Sequence, residues 1–266
     1  MFKARLEISH GVGAIPRVRQ ERNIEKNMDS NPNNFQDHKS GFVTLIGRPN
    51  VGKSTFVNQL VGKKIAITSP VAQTTRNRLR GILTTPKSQI IFVDTPGIHK
   101  PHHLLGERLV QSAKKSIGEV DAIIVIFEGC FSPGKGDEFI LKLLEKTKIP
   151  ILVILNKWDL VKPEEVLNRK NSYQDFLRKY KWPIFYCSAS NGNGCDLIAK
   201  AIENLLPLGP QLYPNDMVCD QPEKILIAEL IREQVLIHTR EEVPHSVAVM
   251  IDRIQNLPSK KIAKKS

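Results

Sequence analysis

The residues with the most chemical content lie between Gly47 and Thr55, where the chain reads GRPNVGKST. Two glycines followed by lysine and serine, in the pattern G-x-x-x-x-G-K-[ST], let successive backbone amides curl around a phosphate chain. Lys53 is placed to reach β- and γ-phosphate oxygens, and the Ser54 hydroxyl to ligate magnesium. Gly47, Arg48, Pro49, Asn50, Val51, Gly52, Lys53, Ser54 and Thr55 are therefore candidates for holding a nucleoside triphosphate. Farther along, NKWD (Asn156, Lys157, Trp158, Asp159) supplies what would select the base. A carboxylate at Asp159 accepts two hydrogen bonds from the ring and amino nitrogens of guanine. Adenine offers no such donor pair, so a buried Asp159 would be left unpaired against it. Asn156 is expected to tie this segment to the phosphate loop, and the Lys157 stem to cover one face of the base. SAS, with Ser188 and Ala189 as the contacting pair, fits a loop whose backbone amide reads the guanine carbonyl.

Two further segments complete the set. DTPG (Asp94, Thr95, Pro96, Gly97) ends an apolar stretch, with Asp94 placed to hold magnesium through water and the Gly97 amide to meet the γ-phosphate. QTTR (Gln73–Arg76) lies where a switch segment belongs, and one of Thr74 and Thr75 is expected to complete the magnesium shell. The catalytic candidates are thus Lys53, Thr74, Thr75 and Gly97. The position after DTPG is Ile98, where a water-orienting glutamine is common, so intrinsic hydrolysis is expected to be slow.

These loops need strands and helices to present them. Short apolar runs at Phe42–Ile46, Ala122–Phe127, Pro150–Leu155 and Pro183–Ser188 read as strands, and LRGIL and QIIFVD as a pair joined by the turn TTPKS. Helical patterns follow at 53–60, 102–118, 135–147, 163–180 and 194–206. Apolar strands alternating with amphipathic helices predict an α/β three-layer sandwich, a mostly parallel sheet covered on both faces. The polar stretch 1–40 reads as a disordered extension, 41–208 as the nucleotide-binding domain, and the proline- and glycine-rich stretch 205–216 as a linker into a smaller C-terminal unit. That unit is expected to hold a helix near Glu223–Thr239, then a strand, HSVAVMID, and a lysine-rich end.

Four dispersed cysteines without a CxxC pair point to cytosolic thiols rather than disulfides or zinc, and no apolar run is long enough for a membrane span. Ten of the twelve net positive charges fall in residues 41–209, which suits a polyanionic partner or a solvated lysine-rich surface equally.

With these motifs in order, the chain resembles the Era family within the TrmE–Era–EngA-like, translation-associated P-loop GTPases. The resemblance is carried by GRPNVGKST, ITSPVAQTTRNRLRGI, DTPGIHKP and NKWD, and by DQPEKILIAELIREQVL with EEVPHSVAV, which looks like the start of a type II KH domain. It implies a magnesium-dependent GTPase that binds GTP and GDP, binds small-subunit ribosomal RNA and assists 30S subunit assembly. It also implies a monomer in the cytoplasm, partly at the inner face of the cell membrane. In related GTPases an asparagine at the place of Asn50 helps bind potassium; the same side chain can equally rigidify the loop. No G-x-x-G follows Pro222, so the KH-type unit is expected to be incomplete: either the chain is truncated or frameshifted, or RNA binding is lost or reduced to contacts by Lys260, Lys261, Lys264 and Lys265, a tail that can equally be a solvated end. The alternative is a GTP-gated binding module that scarcely hydrolyses and whose RNA binding is impaired.

Overall fold

The computed structural model describes residues 37–66, 68, 80–93, 118–238 and 248–254. The segments carrying Thr74, Thr75 and Asp94–Ile98, the expected helix at 102–118 and the extension before residue 37 lie outside the described residues.

Among the described residues six strands form one sheet: β1 (Lys39–Ile46), β2 (Arg80–Thr84), β3 (Ser88–Val93), β4 (Ala122–Glu128), β5 (Ile151–Asn156) and β6 (Ile184–Tyr186). Their order is β2-β3-β1-β4-β5-β6, parallel throughout except that β2 runs antiparallel to β3 as the expected hairpin. Neighbours of β1 on either side come later in the chain, so the strand order reverses there. That reversal opens a crevice at the C-terminal edge of the parallel strands, where such sheets bind ligands.

Branched and aromatic side chains fill both faces. Val43, Leu45, Ile124, Ile126 and Ile154 pack beneath α1 (Lys53–Val61) and α4 (Cys195–Leu205). Ile46, Ile123, Val125, Phe127 and Val153 pack beneath α2 (Lys135–Leu144) and α3 (Val166–Leu177). The period-two alternation of the strands thus feeds two apolar layers at once, which is why these strands read as continuous apolar runs. Truncating one of these isoleucines to alanine costs about 2–5 kcal/mol. The α1 helix stops at Gly62, whose φ of 72° gives the left-handed turn that ends it.

Several boundaries differ from the sequence expectation. β1 begins at Lys39, inside the stretch expected to be extension, because Lys39 and Ser40 pair with Ser88 and Gln89. Pro163 opens a short 3-10 turn, Pro163–Glu165, so the helix expected from 163 begins at Val166. The stretch 205–216 is pinned rather than loose. The Ser40 amide donates to the Pro207 carbonyl at 3.1 Å, and the amides of Leu212 and Tyr213 both donate to Gln89 Oε1 at 2.8 Å. Gln89 Nε2 in turn donates to the Tyr213 carbonyl at 2.8 Å and to Thr84 Oγ1 at 3.0 Å, so this fully buried amide is satisfied on both sides. Residues 218–220 then lie along β2, with the Ile82 amide donating to the Val218 carbonyl at 2.9 Å and Arg80 paired with Asp220. The β2 edge of the sheet is thereby covered, β6 forming the other edge.

Beyond it, α5 (Glu223–His238) forms as expected. Glu233 on this helix is buried and accepts hydrogen bonds from the Thr68 amide (2.8 Å) and hydroxyl (2.9 Å), and Lys64 pairs with it at 2.5 Å. The strand expected in HSVAVMID does not form over its described part: residues 248–254 pair with no strand and are tied back by Lys224 Nζ donating to the Asp252 carbonyl. A strand needs a partner edge for its ladder, and the β2 edge is already taken by residues 218–220. No helix among the described residues is long and apolar enough to cross a membrane.

Candidate functional site

Where β1 ends, the chain turns through Gly47–Gly52 into α1. Asn50 (φ 62°) and Gly52 (φ 98°) hold left-handed backbone, the conformation that points successive amides into one concavity. A side chain at Gly52 is impossible for a second reason: its Cβ would stand 2.1 Å from Asn156 Nδ2. The first turn of α1 has no side-chain cap and no acidic residue, which leaves its positive end open to an anion. Lys53 is buried within the loop, its ammonium donating to the carbonyls of Arg48 (2.8 Å) and Gly47 (3.2 Å). Ser54 and Thr55 sit half-buried on the first helical turn. Arg48 reaches sideways: its Nε donates to Asp137 Oδ1 at 2.7 Å, and Asp137 Oδ2 accepts the Gly134 amide at 2.9 Å, capping α2. Asp137 is fully buried, so α2 is fastened to the phosphate loop by a charge pair.

The second set of loops leaves β5 and β6 at the same edge. Asn156, the last residue of β5, is 2% exposed and joins three segments. Its Nδ2 donates to the Val51 carbonyl at 2.8 Å, and its Oδ1 accepts from the Ala189 amide at 2.9 Å and from Cys187 Sγ at 3.5 Å. A hydrogen bond with Cys195 and burial raise the Cys187 pKa well above the usual thiol range, which keeps it protonated as the donor. Lys157 follows in left-handed backbone (φ 60°), then the 3-10 turn Trp158–Leu160. The Trp158 ring lies 4.5 Å from that of Tyr186, and its amide donates to the Cys187 carbonyl. Ser188 and Ala189 are buried in a tight loop closed by Gly192 (φ 83°) and Gly194 (φ 80°).

The structure therefore brings Gly47–Thr55, Asn156–Asp159 and Ser188–Ala189 to one edge of the sheet, linked by a single side chain. Two details depart from expectation. Asp159 is exposed rather than buried, because the turn at Trp158 carries it off the end of β5. The Ala189 amide is engaged by Asn156 rather than held open. Two contributors gave no motif signal: Asp137 and Cys187. A lone acidic residue in sequence looks like any solvated charge; the glycines of GKGD, which open α2 beside Asp137, were the one available hint.

Magnesium, which a triphosphate site requires, is expected at Ser54 with Asp94 and Thr74 or Thr75, and of these Ser54 alone lies among the described residues. Ser54 offers a hard hydroxyl oxygen, and the described residues contain no cluster of three His, Cys, Asp or Glu side chains.

The sequence signature of the 50S ribosome-binding GTPase family matches residues 42–157. GTPase Era of Rippkaea orientalis is 55% identical over 221 residues, covering 83% of this chain and 70% of its own length. Among solved structures, Era in complex with MgGDPNP and nucleotides 1506–1542 of 16S ribosomal RNA is similar with a TM-score of 0.76 at 39% identity. That match covers 82% of this chain and 74% of the other. Aquifex aeolicus Era bound to GDP and aluminium fluoride is similar with a TM-score of 0.75, again at 39% identity, over 82% of this chain and 73% of the other.

Proposed function

Because the chain belongs to the Era family of GTPases, we propose that it is a GTP-hydrolysing switch that binds small-subunit ribosomal RNA and assists 30S subunit assembly. The observation that carries the nucleotide half is Asn156, which ties phosphate loop, base loop and Ser188–Ala189 loop into one cleft. The RNA half rests on the relative solved with 16S ribosomal RNA and on the concentration of positive charge in residues 41–209.

In this proposal the amides of Gly47–Gly52 and the N-terminus of α1 hold the β- and γ-phosphates, and Lys53 turns its ammonium from its own loop carbonyls onto them. Ser54, with Asp94 and one of Thr74 and Thr75, would hold magnesium, which would supply positive charge against the charge that develops on the phosphate oxygens. Asp159 accepts the guanine ring and amino N–H groups while Lys157 and Trp158 flank the base. Ser188 and Ala189 close its carbonyl side, once a ligand competes with Asn156 for the Ala189 amide. Thr95, Pro96, Gly97 and Ile98 follow β3 in sequence and are assigned to the γ-phosphate side, a reading supported by Val93, the last residue of β3, pairing with Thr44 of β1. Water is then the nucleophile, the γ-phosphoryl group is transferred to it, and GDP is the leaving group. Asn50, with its left-handed backbone at the rim of the loop, is assigned to a potassium ion that adds positive charge there.

The test is competition of labelled GDP by GTP and ATP, followed by phosphate release with and without a 16S RNA 3′ fragment. GTP is expected to displace the label at least about a hundredfold more effectively than ATP, because the base covers the Asp159 acceptor on binding and adenine leaves it unpaired there. Equal displacement by ATP would overturn the guanine assignment, and phosphate release that the 16S 3′ fragment changes no more than an unrelated RNA does would overturn the RNA assignment.

A further inference from the structure

We propose that Glu128 is a positioning residue of the nucleotide site, holding the Lys157 side chain in place as a wall of the base cleft. This rests on assigning Asn156–Asp159 to the guanine base. Glu128 is the last residue of β4 and is in register with Asn156 on β5, so the two leave the sheet side by side at the cleft edge. Its Oε1 lies 2.6 Å from Lys157 Nζ, and both side chains are mostly covered, at 19% and 32% exposure. Lys157 reaches it from left-handed backbone, a conformation that fixes where the side chain starts. At the other end, Glu128 itself is fastened. Its carbonyl accepts the hydroxyl of buried Tyr173 at 3.1 Å, and Tyr173 stacks on Phe127. The next residue, Gly129, donates its amide to the Asn156 carbonyl at 2.7 Å, and a Cβ there would meet the Trp158 ring at 2.9 Å. The end of β4 is thus pressed against the base loop on one side and locked to α3 on the other.

The physical consequence concerns the freedom of a lysine. Its four-carbon stem carries large rotamer entropy, and a ligand that needs the stem in one place must remove that freedom on binding. Glu128 removes it beforehand, without touching the nucleotide. It acts on the base end of the cleft, so it raises affinity for GTP and GDP alike and leaves the phosphoryl-transfer step alone.

Glu128→Gln keeps the shape and removes the charge. It is expected to weaken GDP and GTP binding by the same factor, about fivefold to tenfold for a partly covered pair. KM for GTP should rise accordingly with kcat retained, and inorganic tripolyphosphate should compete with unchanged affinity. Lys157→Met retains the stem without the charge, so in that background Glu128→Gln should change nothing further. Losses that add in the double variant would overturn the proposal, as would a loss confined to GTP. If thermal melting shows that Glu128→Gln does not fold, Glu128→Asp withdraws the same charge by one methylene. Nucleotide affinity equal to the parent in that variant overturns the proposal. A parent protein that binds ATP as well as GDP sinks the base-site assignment itself; a guanine-selective parent matched by Glu128→Gln sinks only the role of Glu128.

Discussion

Asn156→Ala is the most informative single perturbation of this cleft. The side chain satisfies two backbone groups that water cannot reach, the carbonyl of Val51 (fully buried) and the amide of Ala189 (2% exposed), at 2.8 and 2.9 Å. Removing it strands both, and each orphaned buried group costs about 1–3 kcal/mol. The weaker Cys187 contact at 3.5 Å adds little. A loss of about 2–5 kcal/mol in the nucleotide-free protein follows. At roughly 2–4 °C per kcal/mol for a chain of this size, melting falls by about 4–20 °C. Asn156→Asp separates the two halves of the effect, since it keeps the acceptor for Ala189 but turns an oxygen toward the Val51 carbonyl. It should be no more stable than the alanine variant. The assay is thermal unfolding of nucleotide-free protein, repeated with saturating GDP to follow the coupled loss of affinity. Melting of both nucleotide-free variants within about 1 °C of the parent would show that the three loops are held by something other than this side chain.

Other expectations concern charge. Lys53→Ala should abolish tight nucleotide binding, whereas Asp159→Asn should lower the GTP-over-ATP preference while leaving tripolyphosphate competition intact; unchanged competition curves for both would contradict the site. Asp137→Ala leaves Arg48 unpaired and the Gly134 amide uncapped, and urea denaturation should register a loss of about 2–4 kcal/mol. Asn50→Ala should erase any difference between hydrolysis in potassium and in sodium, measured by phosphate release. At Glu233 burial pushes the carboxyl pKa up, but Lys64 and the Thr68 amide and hydroxyl outweigh it and hold it below the ordinary glutamate value. A depressed folded-state pKa gives stability that is present above the unfolded value and fades as pH falls through the folded one. Hydrogen exchange at the Thr68 amide should therefore lose protection under acid, below the ordinary glutamate range, and Glu233→Gln should remove that pH dependence.

The strands and the loops at their C-terminal edge were legible because each left a pattern: unbroken apolar runs for a sheet covered on both faces, fixed spacings of glycine, lysine and asparagine for the loops. Residues whose part is played across the sheet left none. Gln89 in QIIFVD looks like a polar interruption, yet its amide organises residues 212 and 213 more than a hundred positions away. Ser88 is similar, its hydroxyl donating to Glu203 at 2.6 Å. The exposure of Asp159 could not be read either, since a four-residue motif does not say how far the turn at Trp158 swings the carboxylate from the strand end. The strand expected in HSVAVMID is absent over its described residues, 248–252, for a different reason. Alternation shows that a segment can make a strand, but not whether an edge remains for it to join.

The run of backbone along β2 has a consequence for how the polypeptide can be divided. A piece ending near residue 208 would keep all six strands of the sheet and the loops of the nucleotide site, yet Arg80–Thr84 would be left with a row of bare amides and carbonyls and Gln89 with Thr84 alone to hold. Such a piece should stick to itself through that flank, so the material after residue 208 acts first as the sheet's own stopper against self-assembly, before any question of what it binds.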